Sequence, residues 1–352
     1  LYLRLNQPIF TYNRRKMELQ EIEFDYENAG IRYALQRLNT ERSITNQFYS
    51  VYMAQNNLAI SKEELENTKQ SYEIIRNKVE ADLAAREELY QAELNLANAQ
   101  SAVQERIVAL ENAKDQLKQT LGMDLDEDFD VTVEIDVSPL AIDLLQAVQS
   151  GLNSRMEIRQ REIDIELAEL QMIRTKSLNE FRGDISLSVG IIGDHERFGS
   201  MYDNPTQNPR VAISFAIPIF DWGEKKARVN AQKVAQTIAK LEQENQQIDI
   251  ELDVRQTWRR LENLRSQIDI AEKSVRNAQL TYDLNLTRYR EGDLTGMEIN
   301  QYQTQLSNRK IAYAQALINY KIELLNLKIL TLYDFEKEEP IVPIREWKGT
   351  SN

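Results

Sequence analysis

The side chains able to do chemistry are few in kind. The 352-residue chain carries one histidine, His195, and no cysteine, against 56 acidic and 43 basic residues. Nucleophilic and general-base catalysis need an imidazole, a thiolate or a tuned carboxylate held by a partner. His195 stands in the turn-rich run DHERFGSMYDNPTQNP, and no Ser/His/Asp set assembles around it. No HExxH, phosphate-binding loop or GxGxxG is present. The absence of cysteine excludes disulfides, thiol catalysis and Cys-based metal sites. The many carboxylates fall on helical patterns, where solvated faces and i,i+4 pairs account for them. The expectation is a protein with no catalytic residue, no cofactor and no metal, and so not an enzyme.

One group of acids has another use. Glu298 and Gln301 lie within three turns of Gly292, where a helical pattern breaks at Glu291-Gly292-Asp293. An ordinary helical hairpin turn explains the break. A sharper reading is the free end of a tube. If copies ring an axis there, Glu298 places several carboxylates around one aperture, and rings of acids select cations.

The elements that would position such a ring occur twice. LNQPIFTYNRRK from Leu5 is echoed 210 residues later by FAIPIFDWGEKK from Phe215, with Pro8, Ile9, Phe10 and Lys16 recurring as Pro218, Ile219, Phe220 and Lys226. Apolar positions stay in phase beyond the motif. Leu58, Leu65 and Tyr72 answer to Ile268, Val275 and Tyr282; Leu96, Val103 and Leu110 answer to Leu306, Tyr313 and Tyr320. A spacing of seven with small residues at the other seam positions (Ala54, Ser61, Thr68) predicts closely packed, supercoiled helices. The helical pattern also breaks at Glu80-Ala81-Asp82, the same place in the first copy. Two arms of about 65 residues each, roughly 100 Å at the helical rise, are expected around each break. Asp221 and Glu224 look like the cap of the second long helix.

Alternating apolar and polar residues predict strands over residues 1–7, 181–193 and 210–217, with Pro8 ending the first. The pattern fits a soluble sheet with one face on a core. It fits equally a membrane barrel with lipid outside and a polar lumen, which three strands could close only with other copies. The aromatic pairs Phe10/Tyr12 and Phe220/Trp222 just past the strand ends would then sit at the membrane interface, or else simply pack under a turn. Residues 122–140 read as an acidic connector with a short strand at Val131–Ile135. The charged run from Glu336 reads as a loosely held tail. No helical stretch is apolar enough to span a bilayer. The net charge of −13 argues against a nucleic-acid partner. Residue 1 already lies in an alternating run, so a natural N-terminus further upstream is expected.

Three segments carry a resemblance to the TolC-like outer-membrane efflux proteins. PIFDWGEKKARVNAQ from Pro218 and its weaker partner PIFTYNRRKMELQ from Pro8 resemble the family's strand-to-helix junction. YREGDLTGMEINQYQTQL from Tyr289 resembles its Tyr-x-x-Gly hairpin tip. SRMEIRQREIDIELAELQMIR from Ser154 is similar to the helix entering the second half, with Met156 where Pro is common. The order of the segments covers nearly the whole chain, starting from the family's second strand.

The resemblance implies a mainly α fold with a few membrane β-strands. Long antiparallel helical hairpins would form a trimeric α-barrel continuous with a shared transmembrane β-barrel. The implied divisions are a first, partial repeat over 1–121, an equatorial connector over 122–155, a second repeat over 156–332, and a C-terminal tail over 333–352. It also implies an outer-membrane location with most of the chain in the periplasm. The implied role is a passive exit duct for efflux or type I secretion, a homotrimer working with a periplasmic adaptor and an inner-membrane pump. Tyr289, Glu298 and Gln301 would stand at the periplasmic constriction. Leu294 takes the place of a gating Arg found in some members, and Gln301 that of a second acid. Asp82, Leu83, Gly292, Asp293 and Leu294 would face the adaptor. The alternative is a periplasmic coiled-coil adaptor or scaffold, which usually has a single helical hairpin where this chain has two.

Overall fold

The structure is a computed structural model. It describes residues 2–9, 12–132, 140–178, 180–192, 206–207 and 209–341. His195 and most of its loop, Phe10, the greater part of the expected connector strand, and residues 342–352 lie outside the described residues.

Strand β1 (Tyr2–Ile9) leads into helix α1 (Arg14–Glu80), followed by α2 (Arg86–Leu121), α3 (Leu144–Ser154) and α4 (Met156–Lys176). Strands β2 (Arg182–Ile192), β3 (Thr206–Gln207) and β4 (Arg210–Ala216) precede helices α5 (Glu224–Glu291) and α6 (Gly296–Thr331). A hairpin of β5 (Tyr333–Asp334) and β6 (Glu339–Pro340) follows. The echo in the sequence is an echo of elements: α1 and α5 have 67 and 68 residues, and α2 and α6 have 36 each. The returning arms are thus about half the expected length. Helix α2 stops where Gly122, at φ 70°, turns its own N–H and that of Met123 back onto Gln119 and Lys118.

The chain divides into two compact units, residues 1–33 with 156–249, and residues 34–155 with 250–352. In the first, β2 is flanked by β1 on one side and by β4 and β3 on the other, all antiparallel. The register aligns Leu5, Leu187 and Val211 in one row and Gln7, Ile185 and Ile213 in the next. Successive side chains alternate between faces. Leu3, Leu5, Ile185, Leu187, Val189, Val211, Ile213 and Phe215 therefore share one face. Arg4, Asn6, Asp184, Ser186, Ser188, Arg210 and Ser214 share the other. The expected end of β1 at Pro8 is corrected: Pro8 pairs with Asp184 inside the strand. An edge strand tolerates the missing N–H, because its outer side has no partner to receive it. In the same unit α4 is tied by charge. Arg159 grips both oxygens of Glu27 at 2.7 and 3.1 Å, and Arg174 grips those of Glu21 at 2.8 and 3.0 Å. These pairs are partly exposed and individually weak, so they set register more than stability. Met17, Ile163 and Leu170 are buried in the same unit.

The second unit is a helical pack with the seven-residue period in its burial. Val254, Leu261, Ile268, Tyr282 and Tyr289 of α5 are buried, as are Ile299, Leu306, Tyr320 and Leu327 of α6 and Val103, Leu110 and Leu117 of α2. Gly151 of α3 allows close approach to α5, since a Cβ there would lie 3.2 Å from Val254. Lys114 and Lys118 of α2 hold the acidic connector. Lys114 bonds Asp128 and Asp130 at 3.0 and 3.2 Å, and Lys118 bonds the Leu125 carbonyl at 2.7 Å. The run from Glu336 is not wholly loose. Its start folds back as β6, with Phe335 buried and Asp334 bonded to Lys328 at 2.7 Å.

Candidate functional site

The two helix–helix turns of the second unit close in the same way. After α1, the Asp82 N–H bonds Val79 O at 3.1 Å and the Leu83 N–H bonds Lys78 O at 2.7 Å. After α5, the Gly292 N–H bonds Tyr289 O at 3.2 Å and the Asp293 N–H bonds Arg288 O at 2.9 Å. Both are left-handed closures that use up orphan carbonyls at a helix end. The first asks it of Asp82, at φ 58°, and the second of Gly292, at φ 93°. The next helices differ too. Thr295 caps α6: its hydroxyl accepts from the Glu298 N–H at 3.3 Å, and the Glu298 carboxylate returns to the Thr295 N–H at 2.9 Å. Ala85, in the same extended conformation before α2, makes no side-chain cap. The first turn is the weaker by both measures. Ala85→Thr, with Glu88 already at the third helical position, is expected to stabilise it by about 1 kcal/mol. Slower amide exchange at residues 86–89 checks this; unchanged exchange would show that no cap forms.

Tyr289 joins the two turns. Its ring is buried beside Ile75, Tyr282, Ile299 and Leu306. Its hydroxyl donates to Ser71 O at 3.1 Å, and its carbonyl accepts from Lys78 Nζ at 2.9 Å. The ammonium also lies 5.3 Å from the ring centroid. A cation on the last carbonyls of a helix meets the negative end of its dipole. Burial pushes the phenol pKa up, and the charge of Glu88 adds to it, so the hydroxyl remains a donor. Nothing in the sequence singled out Lys78 or Ser71, because their contacts span 211 and 218 residues.

The other tip candidates separate. Glu298 is exposed, and the Thr295 N–H and hydroxyl hold its carboxyl below the usual range. A depressed value means the cap stabilises the native state above the ordinary glutamate pKa and is lost as pH falls through the lowered one. Gln301 is exposed one turn further along α6, in a polar stripe with Thr304, Gln305 and Asn308. Asp82, Leu83, Gly292 and Asp293 are exposed at the turns, and Leu294 packs partly against the tip core. The capping box is legible in sequence from the spacing of Thr295 and Glu298, so the carboxylate expected at an aperture is also the cap of α6.

In the first unit, neither face of the sheet is covered. Leu3, Val211, Ile213 and Phe215 are 76, 66, 60 and 57% exposed. Just beyond β4, Ile219, Phe220 and Trp222 are 95, 71 and 90% exposed, and the two rings meet edge to face at 4.7 Å. Asp221 lies between them and accepts from the Gly223 and Lys225 N–H groups at 3.0 and 3.2 Å, as a cap should, whereas Glu224, the other half of the expected cap, pairs with Arg228 at 2.7 Å. Tyr12 is half-buried.

A sequence profile described as "Outer membrane efflux protein" matches residues 147–331, more than half of the chain. The chain belongs to the outer membrane efflux protein family. Outer membrane protein TolC of Escherichia coli (strain K12) is 26% identical over 232 residues, which covers 62% of this chain and 46% of TolC. The chain thus spans less than half the length of that curated relative. Among solved structures, the Campylobacter jejuni CmeC outer membrane channel superposes with a TM-score of 0.79 at 18% identity, covering 97% of this chain and 72% of CmeC. The open state of the Neisseria gonorrhoeae MtrE outer membrane channel gives 0.75 at 15% identity, with 95% and 80% covered. At these identities what is shared is the fold. It is the fold of TolC-like channels, and at the family level these relatives are channel proteins rather than enzymes.

Proposed function

We propose that this efflux-family chain is one protomer of an outer-membrane exit duct, a homotrimer that passes cargo passively. The observation that carries the reading is the sheet. An antiparallel sheet in water covers its apolar face with a core. Here that face is bare, the opposite face is polar, and both outer edges lack a partner among the described residues. Strands from further copies would close such a sheet into a barrel, with the apolar face in lipid and Arg4, Asp184 and Arg210 toward a wet lumen. Tyr12, Phe220 and Trp222, with Phe10 in sequence, would lie at the lipid boundary. The strand–hairpin blocks of residues 1–121 and 156–332, joined through 122–155 and followed by 333–352, would be the repeats of the protomer. Most of the chain would stand in the periplasm. A periplasmic adaptor would engage the turns at Asp82, Leu83, Gly292, Asp293 and Leu294 and connect the duct to an inner-membrane pump.

In this reading Glu298 and Gln301 border the periplasmic constriction, and Tyr289 holds the turn that presents them. The test is electrical. Glu298→Gln keeps an oxygen for the Thr295 N–H but removes the charge, and it is expected to lower the cation selectivity of single channels, as is Glu298→Ala. Unchanged selectivity in both variants would remove Glu298 from the constriction.

A further inference from the structure

The tip of the second unit encloses a cavity of about 580 Å³. Helices α1, α2, α5 and α6 all contribute to its wall. The volume is that of a small-molecule site. Tyr72, Tyr282 and Tyr289 supply aromatic surface, and Met297 and Ile299 add aliphatic surface. Three carboxylates also line it, Glu87, Glu88 and Glu298, and no lysine or arginine does. Glu298 is engaged by Thr295. Glu87 and Glu88, in the first turn of α2, have no ion-pair partner among the described residues. Of the cations nearby, Lys78 is committed to the Tyr289 carbonyl, and Arg288 bonds Asn285 Oδ1 at 3.4 Å while its charge helps hold the Glu298 carboxyl low.

A partly enclosed cavity with mostly apolar surface, three carboxylates and no lysine or arginine in its wall is mismatched to anions. A cation with an apolar body matches both the carboxylates and the apolar surface. Its charge meets Glu87 and Glu88, and its hydrocarbon meets the tyrosines, whose faces attract cations. We infer that this cavity is a binding site for a lipophilic organic monocation. The inference stands on the cavity alone and holds whether or not the chain forms a duct. A bound cation touches all four helices, so it ties the α1–α2 hairpin to the α5–α6 hairpin and stabilises the tip by mass action.

Titration calorimetry on the full chain in detergent tests it with three probes of similar shape. These are tetraphenylphosphonium, the neutral triphenylphosphine oxide and the anion tetraphenylborate. The expected result is saturable binding of one tetraphenylphosphonium per chain, at least tenfold tighter than the neutral probe, with no binding of the anion. Glu87→Gln with Glu88→Gln should weaken it about tenfold or more. Ala92→Trp, which fills the cavity from α2, should abolish it. Helical melting confirms that each variant folds, and the double glutamine variant decides the matter if the tryptophan variant does not fold. Equal binding of all three probes, an affinity indifferent to the double substitution, or no saturable binding of the cation would each overturn the assignment.

Discussion

Tyr289→Ala is expected to cost about 3–5 kcal/mol of tip stability, the range for deleting a large buried aromatic. The ring is 1% exposed and packs on both α1 and α6 side chains. Its removal leaves a void among Ile75, Tyr282, Ile299 and Leu306 and strips Lys78 of the ring beside its ammonium. Tyr289→Phe should cost only about 0.5–1.5 kcal/mol, because it removes the bond to Ser71 O and keeps the packing. Hydrogen exchange gives the readout. In the alanine variant, amides in the last turns of α1 and α5 should exchange at least about a hundredfold faster, since each 1.4 kcal/mol is a factor of ten. Equal effects of Phe and Ala would mean that the hydroxyl, not the ring, holds the turns together.

Ile213→Lys is expected to be the most damaging single change in the sheet. Ile213 sits in the middle of β4 on the bare apolar face, in the row of Ile185. A lysine on the lipid side of a membrane barrel costs about 2–4 kcal/mol near the midplane. The neighbouring Ala212→Lys points the other way, among Ser186, Asn6 and the rows bearing Arg4 and Arg210, and should cost little. The yield of membrane-inserted, detergent-stable oligomer compares the two. In water, two exposed positions of one edge strand would tolerate lysine alike, so equal yields would place the apolar face outside lipid.

Much of this was legible in the sequence because local periodicity carries it. The period of seven in α2, α5 and α6 is enforced by which side chains must be hidden, and the period of two in β1, β2 and β4 follows the alternation of faces along a strand. Gly292 and Asp221 announced a turn and a cap by residue type. What the sequence concealed is long-range or context-dependent. The length of the returning arms was overread although their bounds were not: the break at Asp82 and the connector from residue 122 already confine α2 to little more than half of a 65-residue arm. Pro8 stays in its strand only because β1 is an edge. Phe335 draws the beginning of a charged run back onto the helices. The Lys78–Tyr289 contact joins residues whose pairing depends on how two hairpins lie together, which no spacing encodes.

The central claim, that this chain builds a passage through the outer membrane, is tested most directly by single-channel recording of the purified protein in a planar lipid bilayer. The account predicts discrete, ohmic conductance steps that favour cations. Folded, helical protein that inserts into the bilayer and never conducts would contradict it.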